Sequence, residues 1–444
     1  MNMLDSLNSF DERTRRETLE QLARTTAFPE TTPCVNMHLH SFFSYNGEGW
    51  SPSRIAFEMK RLGVHAAAIC DFDVLQGLDE FLAAADLLQL RAAIACETRA
   101  FVPEWADMEI NSPGEPGVFY FMGMGFVRQP LPGYRAEEFG QLLTRSHERN
   151  RALIGRINAV LRDFQLDYDQ DVLPLTPAGN ATERHICVAL HHKALAVLGS
   201  PERAAQSWAA TLGLPPDALR NTIANDNAFT DLLRSKLIKK GGVCYQQPDS
   251  STFPPLADVI RLINGGRAIP MAAWLDGSLP GESNPLKQLE YLKHHGIAAV
   301  NIIPDRNWNF KDPDTKAAKV RELHRYLDAA IKLDLPINVG TEANKPGQRL
   351  LDDFEAEALA PYRKVFVRGA NIFVGHTRLL RFADTSYTDD NFGSHDAAYK
   401  NSFCADIGAL PAPPPETLRA LLESTHSKAF SIIADSVRKK AWVR

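Results

Sequence analysis

Three stretches decide the fold: NMHLHSFFSYNGEGWSP (36–52), AAAICDFDVLQGLDEF (66–81) and AAIACETRAF (92–101). Each starts as a short apolar run and breaks into polar residues. In the first two, a turn and an amphipathic stretch follow. That order is the pattern of βα units and a mostly parallel sheet. Working outward, 34–37, 66–70, 92–96, 118–124, 268–273, 298–303, 336–340 and 371–374 read as strands. Helical periodicity lies between them at 52–62, 77–88, 255–264, 286–295, 315–333 and 354–360. From 134 to 240 the alternation stops, and only helical patterns occur, interrupted by the loop-like DYDQDVLPLTPAGN (167–180). The expected organisation is an N-terminal helical extension (1–30), a barrel (31–133 and 241–410), an all-helical cap inserted into it (134–240) and C-terminal helices (411–444).

Composition narrows the function classes. The 444 residues are 44% hydrophobic and 23% charged, as in ordinary globular proteins. The net charge of −5 disfavours bulk nucleic-acid binding, which needs a basic surface. No apolar run approaches the roughly 20 residues needed to span a bilayer. Cys34, Cys70, Cys96, Cys187, Cys244 and Cys404 are scattered without a CxxC pair, which fits reduced thiols and a cytoplasmic location.

In parallel α/β folds the chemistry gathers where strands end. His38 and His40, two apart on a strand, send both imidazoles to one face, where they can reach one ion. Asp71 and Asp73 flank Phe72 at the second strand's end and are expected to share a face, as ligands or proton acceptors. Glu97 ends the third strand. Imidazole mixed with carboxylate suits Zn, Mn or Fe better than Mg. Arg306 and Lys345, in loops after later strands, are candidate phosphate clamps, as are Arg184 and His185 at a helix start.

The three opening stretches resemble, in order and spacing, the first three motifs of the PHP (polymerase and histidinol phosphatase) family. GGRAIPMAAWLDG (265–277), VGTEANKPGQ (339–348) and TERHICVAL (182–190) resemble later ones. The resemblance implies a distorted seven-stranded (β/α) barrel, a two- or three-metal centre and phosphoester hydrolysis. This sequence departs from those motifs. Phe72, Ala272 and Asn344 stand where the family has His; Tyr45 replaces an acid, and Tyr120 or Phe119 replaces another His. The expectation is therefore one or two divalent ions held by His38, His40 and Glu97, with Glu342, Asn344 or His376 completing the set. The substrate would be a small-molecule or nucleotide phosphoester attacked by metal-activated water, with Asp71 or Asp73 taking the proton. The missing ligands keep a second reading open, a catalytically degenerate barrel used for ligand binding or regulation. A third is hydrolysis of a C–N or C–O bond by a mononuclear relative of the amidohydrolases.

Overall fold

A computed structural model describes residues 2–389 and 396–443. Seven strands form one sheet in sequence order: β1 (Val35–Leu39), β2 (Ala66–Phe72), β3 (Arg91–Phe101), β4 (Val118–Met124), β5 (Ile269–Ala273), β6 (Ala299–Ile302) and β7 (Ile337–Val339). The sheet curls into a nearly closed, distorted barrel. Leu39 at the end of β1 bridges in parallel to Glu342, just beyond β7. The His40 N–H donates to the Glu342 carbonyl and the Glu342 N–H to the His38 carbonyl, each at 2.8 Å. Closure therefore happens at the mouth, through the backbone of residues singled out as candidate ligands.

The strands are near-continuous apolar runs because helices cover their outer face. Helices Pro52–Arg61 and Leu78–Leu88 follow β1 and β2, and the first is capped by the Ser51 hydroxyl with Pro at its first position. Pairing is parallel except around β4, which runs antiparallel to both β3 and β5. An apolar run looks the same in either direction, so the sequence does not show this reversal.

Two expected elements differ. Residues 371–374 are not an eighth strand: they lie inside the long helix Arg363–Ala383, buried almost throughout between the barrel and the helix Ala397–Ala409. Residues 354–360 form turns, with a short 3-10 segment beginning only at Ala360.

Between β4 and β5 the chain leaves the barrel. The 26-residue helix Arg135–Val160 starts beside Gly265, and its later turns reach the space above the strand ends. Helices Glu183–Leu198, Pro201–Leu212, Pro216–Ile223 and Asp226–Leu233 pack with it around a separate core of Ile157, Leu190, Trp208, Phe229 and Leu237. Asn180 ties this body to the barrel by donating to the carbonyls of Phe43 (3.0 Å) and Phe72 (2.7 Å).

Candidate metal centre

His38, His40 and Glu97 converge at the mouth. One ligand atom from each lies within 4.8 Å of the others, and all three side chains are buried. The Nε2 atoms of His38 and His40 are each 3.4 Å from Glu97 Oε2. None of these three atoms has a hydrogen-bond partner. Leaving buried polar atoms unpaired is costly, so an orphaned trio aimed at one point needs an explanation. Two donors about 2.1 Å from a shared tetrahedral ion would be about 3.4 Å apart, the spacing seen. The donor set fits a divalent ion of the zinc, manganese or iron type.

The second nitrogen of each ring is held so that Nε2 keeps its lone pair. Asn338 donates to Asn301 Oδ1 at 2.9 Å, which marks that atom as an acceptor, and His38 Nδ1 lies 3.3 Å from it. His38 therefore carries its proton on Nδ1. Ser44 gives its hydroxyl proton to Asp71 at 2.7 Å and sits 3.3 Å from His40 Nδ1, so His40 donates to Ser44 by the same logic. Such outer partners commonly fix ligand tautomers. Burial opposes charge on His38, but Glu97 and then Glu342 outweigh it and raise its pKa. Burial likewise opposes the Glu97 carboxylate, yet His38 and His40 hold it down to about 2.

The remaining candidates separate. Asp71 is fully engaged: it accepts from Ser41 N–H (2.7 Å), Ser41 Oγ (2.6 Å) and Ser44 Oγ, and it does not line the cavity above the site. Asp73 does line it. The strand ends at Phe72, Asp73 turns to a φ of 59°, and its carboxylate swings to Thr98 Oγ1 (2.6 Å) and Arg149 (3.3 Å). The two acids therefore do not share a face. Phe72 stacks flat on His40 at 4.6 Å and covers that flank with hydrocarbon.

Glu342 pairs with Arg306 at 2.8 Å and does not join the three-ligand group. Asn344 and Lys345 line the cavity wall. His376 lies in the helix Arg363–Ala383, packed against Gly125 and accepting from Tyr387 N–H, outside the cavity lining. Its strand-end position disappears with the expected eighth strand. Arg184 lines the cavity but pairs with Asp231 at 3.1 Å and lies over the Tyr45 ring. His185 turns inward as a helix cap, its Nδ1 accepting from Thr182 N–H at 3.1 Å, and burial lowers its pKa to about 4.

Above the centre lies a cavity of about 1160 Å³ between barrel and helical body. Basic side chains outnumber carboxylates in its lining, although the chain as a whole is acidic. Arg99 and Arg149 both contact the ring of buried Phe253, at 4.2 and 4.8 Å from its centre. Arg149 did not stand out in the sequence, because the 134–240 segment carries no marker of which helical face meets the barrel.

No protein-family model matches the sequence, and no curated protein matches it. The chain is similar to a structure from Bifidobacterium adolescentis, provisionally designated a metal-dependent phosphoesterase. The match covers 76% of this chain and 97% of that one, at 18% identity and a TM-score of 0.46. It is also similar to an amidohydrolase from Chromobacterium violaceum with bound sulfate and no metal, over 73% and 96% of the two chains, at 14% identity and a TM-score of 0.47. At this distance neither likeness bears on what the chain does. Fold and site together define a barrel protein with a candidate metal centre at its mouth, and the PHP resemblance rests on the quoted motifs.

Proposed function

We propose that the chain is a metal-dependent hydrolase acting on a phosphoester of a small molecule or nucleotide. The observation that carries this reading is the convergence of three buried, unpartnered donor atoms beneath a cavity in whose lining basic side chains outnumber carboxylates. His38, His40 and Glu97 would hold the ion. When bound, it supplies Lewis-acid polarisation of a phosphoryl oxygen and makes a water more acidic. Asp73 is the proton acceptor in this reading, since it faces the cavity while Asp71 is occupied by serines. Arg99, Arg149, Arg184 and Lys345, all lining the cavity, suit an anionic substrate. The helical body would select substrates by its share of that wall.

The test is metal content and phosphate release, for the native chain and His40→Ala, over a panel of phosphoesters. His40→Ala removes one of three ligands and should lower both bound metal and turnover by at least tenfold while the fold persists. Full activity in that variant, or a native chain that binds no divalent ion, would overturn the reading.

A further inference from the structure

We infer that the Arg306 guanidinium serves as a built-in second cation beside a one-metal centre, with Glu342 as its counter-ion rather than a metal ligand. The inference rests on the proposed hydrolysis and goes beyond it in fixing the metal count and the role of two residues. Glu342 sits at a φ of 68°, followed by Ala343 at 54°, and its backbone is clamped between those of His38 and His40. A side-chain-bearing residue keeps that conformation only where its surroundings impose it. Here they aim the carboxylate at Arg306, 2.8 Å away, and outside the group formed by His38, His40 and Glu97.

Arg306 is placed as firmly. It follows β6 in the short turn Asp305–Trp308, whose neighbours are locked. Asn307 donates to the carbonyls of Asp276 (3.0 Å) and Lys319 (2.9 Å), and Trp308 Nε1 to Asp352 (2.8 Å). The Arg306 side chain keeps about a third of its surface open and lines the cavity. Burial opposes its charge, but Glu342 and Glu97 more than restore it. A second ion would need its own donors. Among the described residues no further group of three lies close enough, and Phe72 closes the flank of His40. A guanidinium that cannot lose its proton is then the fixed positive charge next to the metal.

In hydrolysis the water oxygen bonds to phosphorus as the bond to the leaving oxygen breaks. One water proton passes through Asp73 to the leaving oxygen, and the other stays with the phosphate. Arg306 changes no bond; it binds the non-bridging oxygens as charge builds on them.

The experiment titrates the full chain and its Arg306→Met, Arg306→Lys and Glu342→Gln variants with Zn²⁺. Inorganic phosphate is then titrated into the zinc-loaded forms, and 4-nitrophenyl phosphate turnover is followed, with circular dichroism as the fold control. The expected result is one Zn²⁺ per chain in all four proteins, with zinc affinity in Glu342→Gln within about threefold of native. Arg306→Met should weaken phosphate binding at least tenfold and slow turnover by about 10²-fold or more, as for loss of one oxyanion donor. Arg306→Lys should recover part of both. Two or more ions in the native chain, a large loss of zinc affinity in Glu342→Gln, or phosphate binding unchanged in Arg306→Met would overturn the inference. Failure of the underlying hydrolase reading shows separately, as a native chain without bound zinc. A chain that loads one ion but turns over no probe is still judged by stoichiometry and phosphate binding.

Discussion

Replacing Asp71 by alanine should uncouple the candidate metal site from the barrel that supports it. The carboxylate is buried and accepts three hydrogen bonds, from Ser41 N–H at 2.7 Å, Ser41 Oγ at 2.6 Å and Ser44 Oγ at 2.7 Å. Removing it orphans three donors at about 1–3 kcal/mol each if none finds a new partner. Part of this returns, because burial itself works against the charged carboxylate and raises its pKa despite the serines. A loss of about 2–5 kcal/mol is expected, large against the 5–15 kcal/mol typical of a folded chain. The second effect is on His40. Without Asp71, the Ser44 hydroxyl proton is free to turn to His40 Nδ1, which moves the ring proton to Nε2, the atom that must bind the ion. Zinc affinity should fall about 10–100-fold, as for loss of other outer-shell partners. Urea denaturation of the metal-free chain gives the first quantity, and competition with a chromophoric chelator gives the second. A variant within about 1 kcal/mol of native in stability and within threefold in zinc affinity would refute the reasoning.

Gly125→Ala should cost at least about 2 kcal/mol, since the residue has a φ of 93° and an added methyl would overlap the His376 ring; denaturation midpoints check it, and a neutral outcome would mean the ring can move. Acid should destabilise the chain through buried neutral histidines. Burial holds the His376 pKa down to about 4, so the unfolded chain takes up its proton first, near pH 6.5. The stability this group contributes is complete above pH 6.5 and is lost as pH falls from there through about 4, up to about 3 kcal/mol. His185 and His65, also held at about 4 by burial, act with the same sign. Melting temperatures from pH 7.5 to 4.5 should therefore fall, and less steeply in His376→Gln; a flat profile in the native chain would contradict the burial argument.

The seven strands could be read from the sequence because buried strands are short apolar runs set off by turn residues, and 34–37, 66–70 and 118–124 fall on β1, β2 and β4. Where that signal failed, it failed for a physical reason. The run NIFV at 371–374 is apolar because the helix Arg363–Ala383 is buried on nearly all sides, and periodicity cannot tell such a helix from a strand. The direction of β4 was invisible too, since pairing sense leaves no mark on a run buried on both faces.

At the site, the legible part was the part carried by strand geometry. His38 lies within β1, His40, one residue past its end, is held in line by its backbone hydrogen bond to Glu342, and Glu97 meets them because β3 continues past it to Phe101. The same rule misplaced Asp73, because it holds only while the strand lasts: β2 ends at Phe72, and a left-handed turn one residue later sends Asp73 to Arg149 while Asp71 stays with the serines. Sequence spacing thus locates atoms inside an element, and the first residue beyond it is placed by whatever it meets. Arg306 and Glu342 lie further out, in the loops beyond the paired strands β6 and β7, and their pairing across 36 positions is one that no local pattern encodes. The groups that would decide the chemistry of this mouth are therefore the ones a sequence reading reaches last: the ligands belong to strands and strand ends, while the charges around them belong to loops fixed only once the barrel has closed.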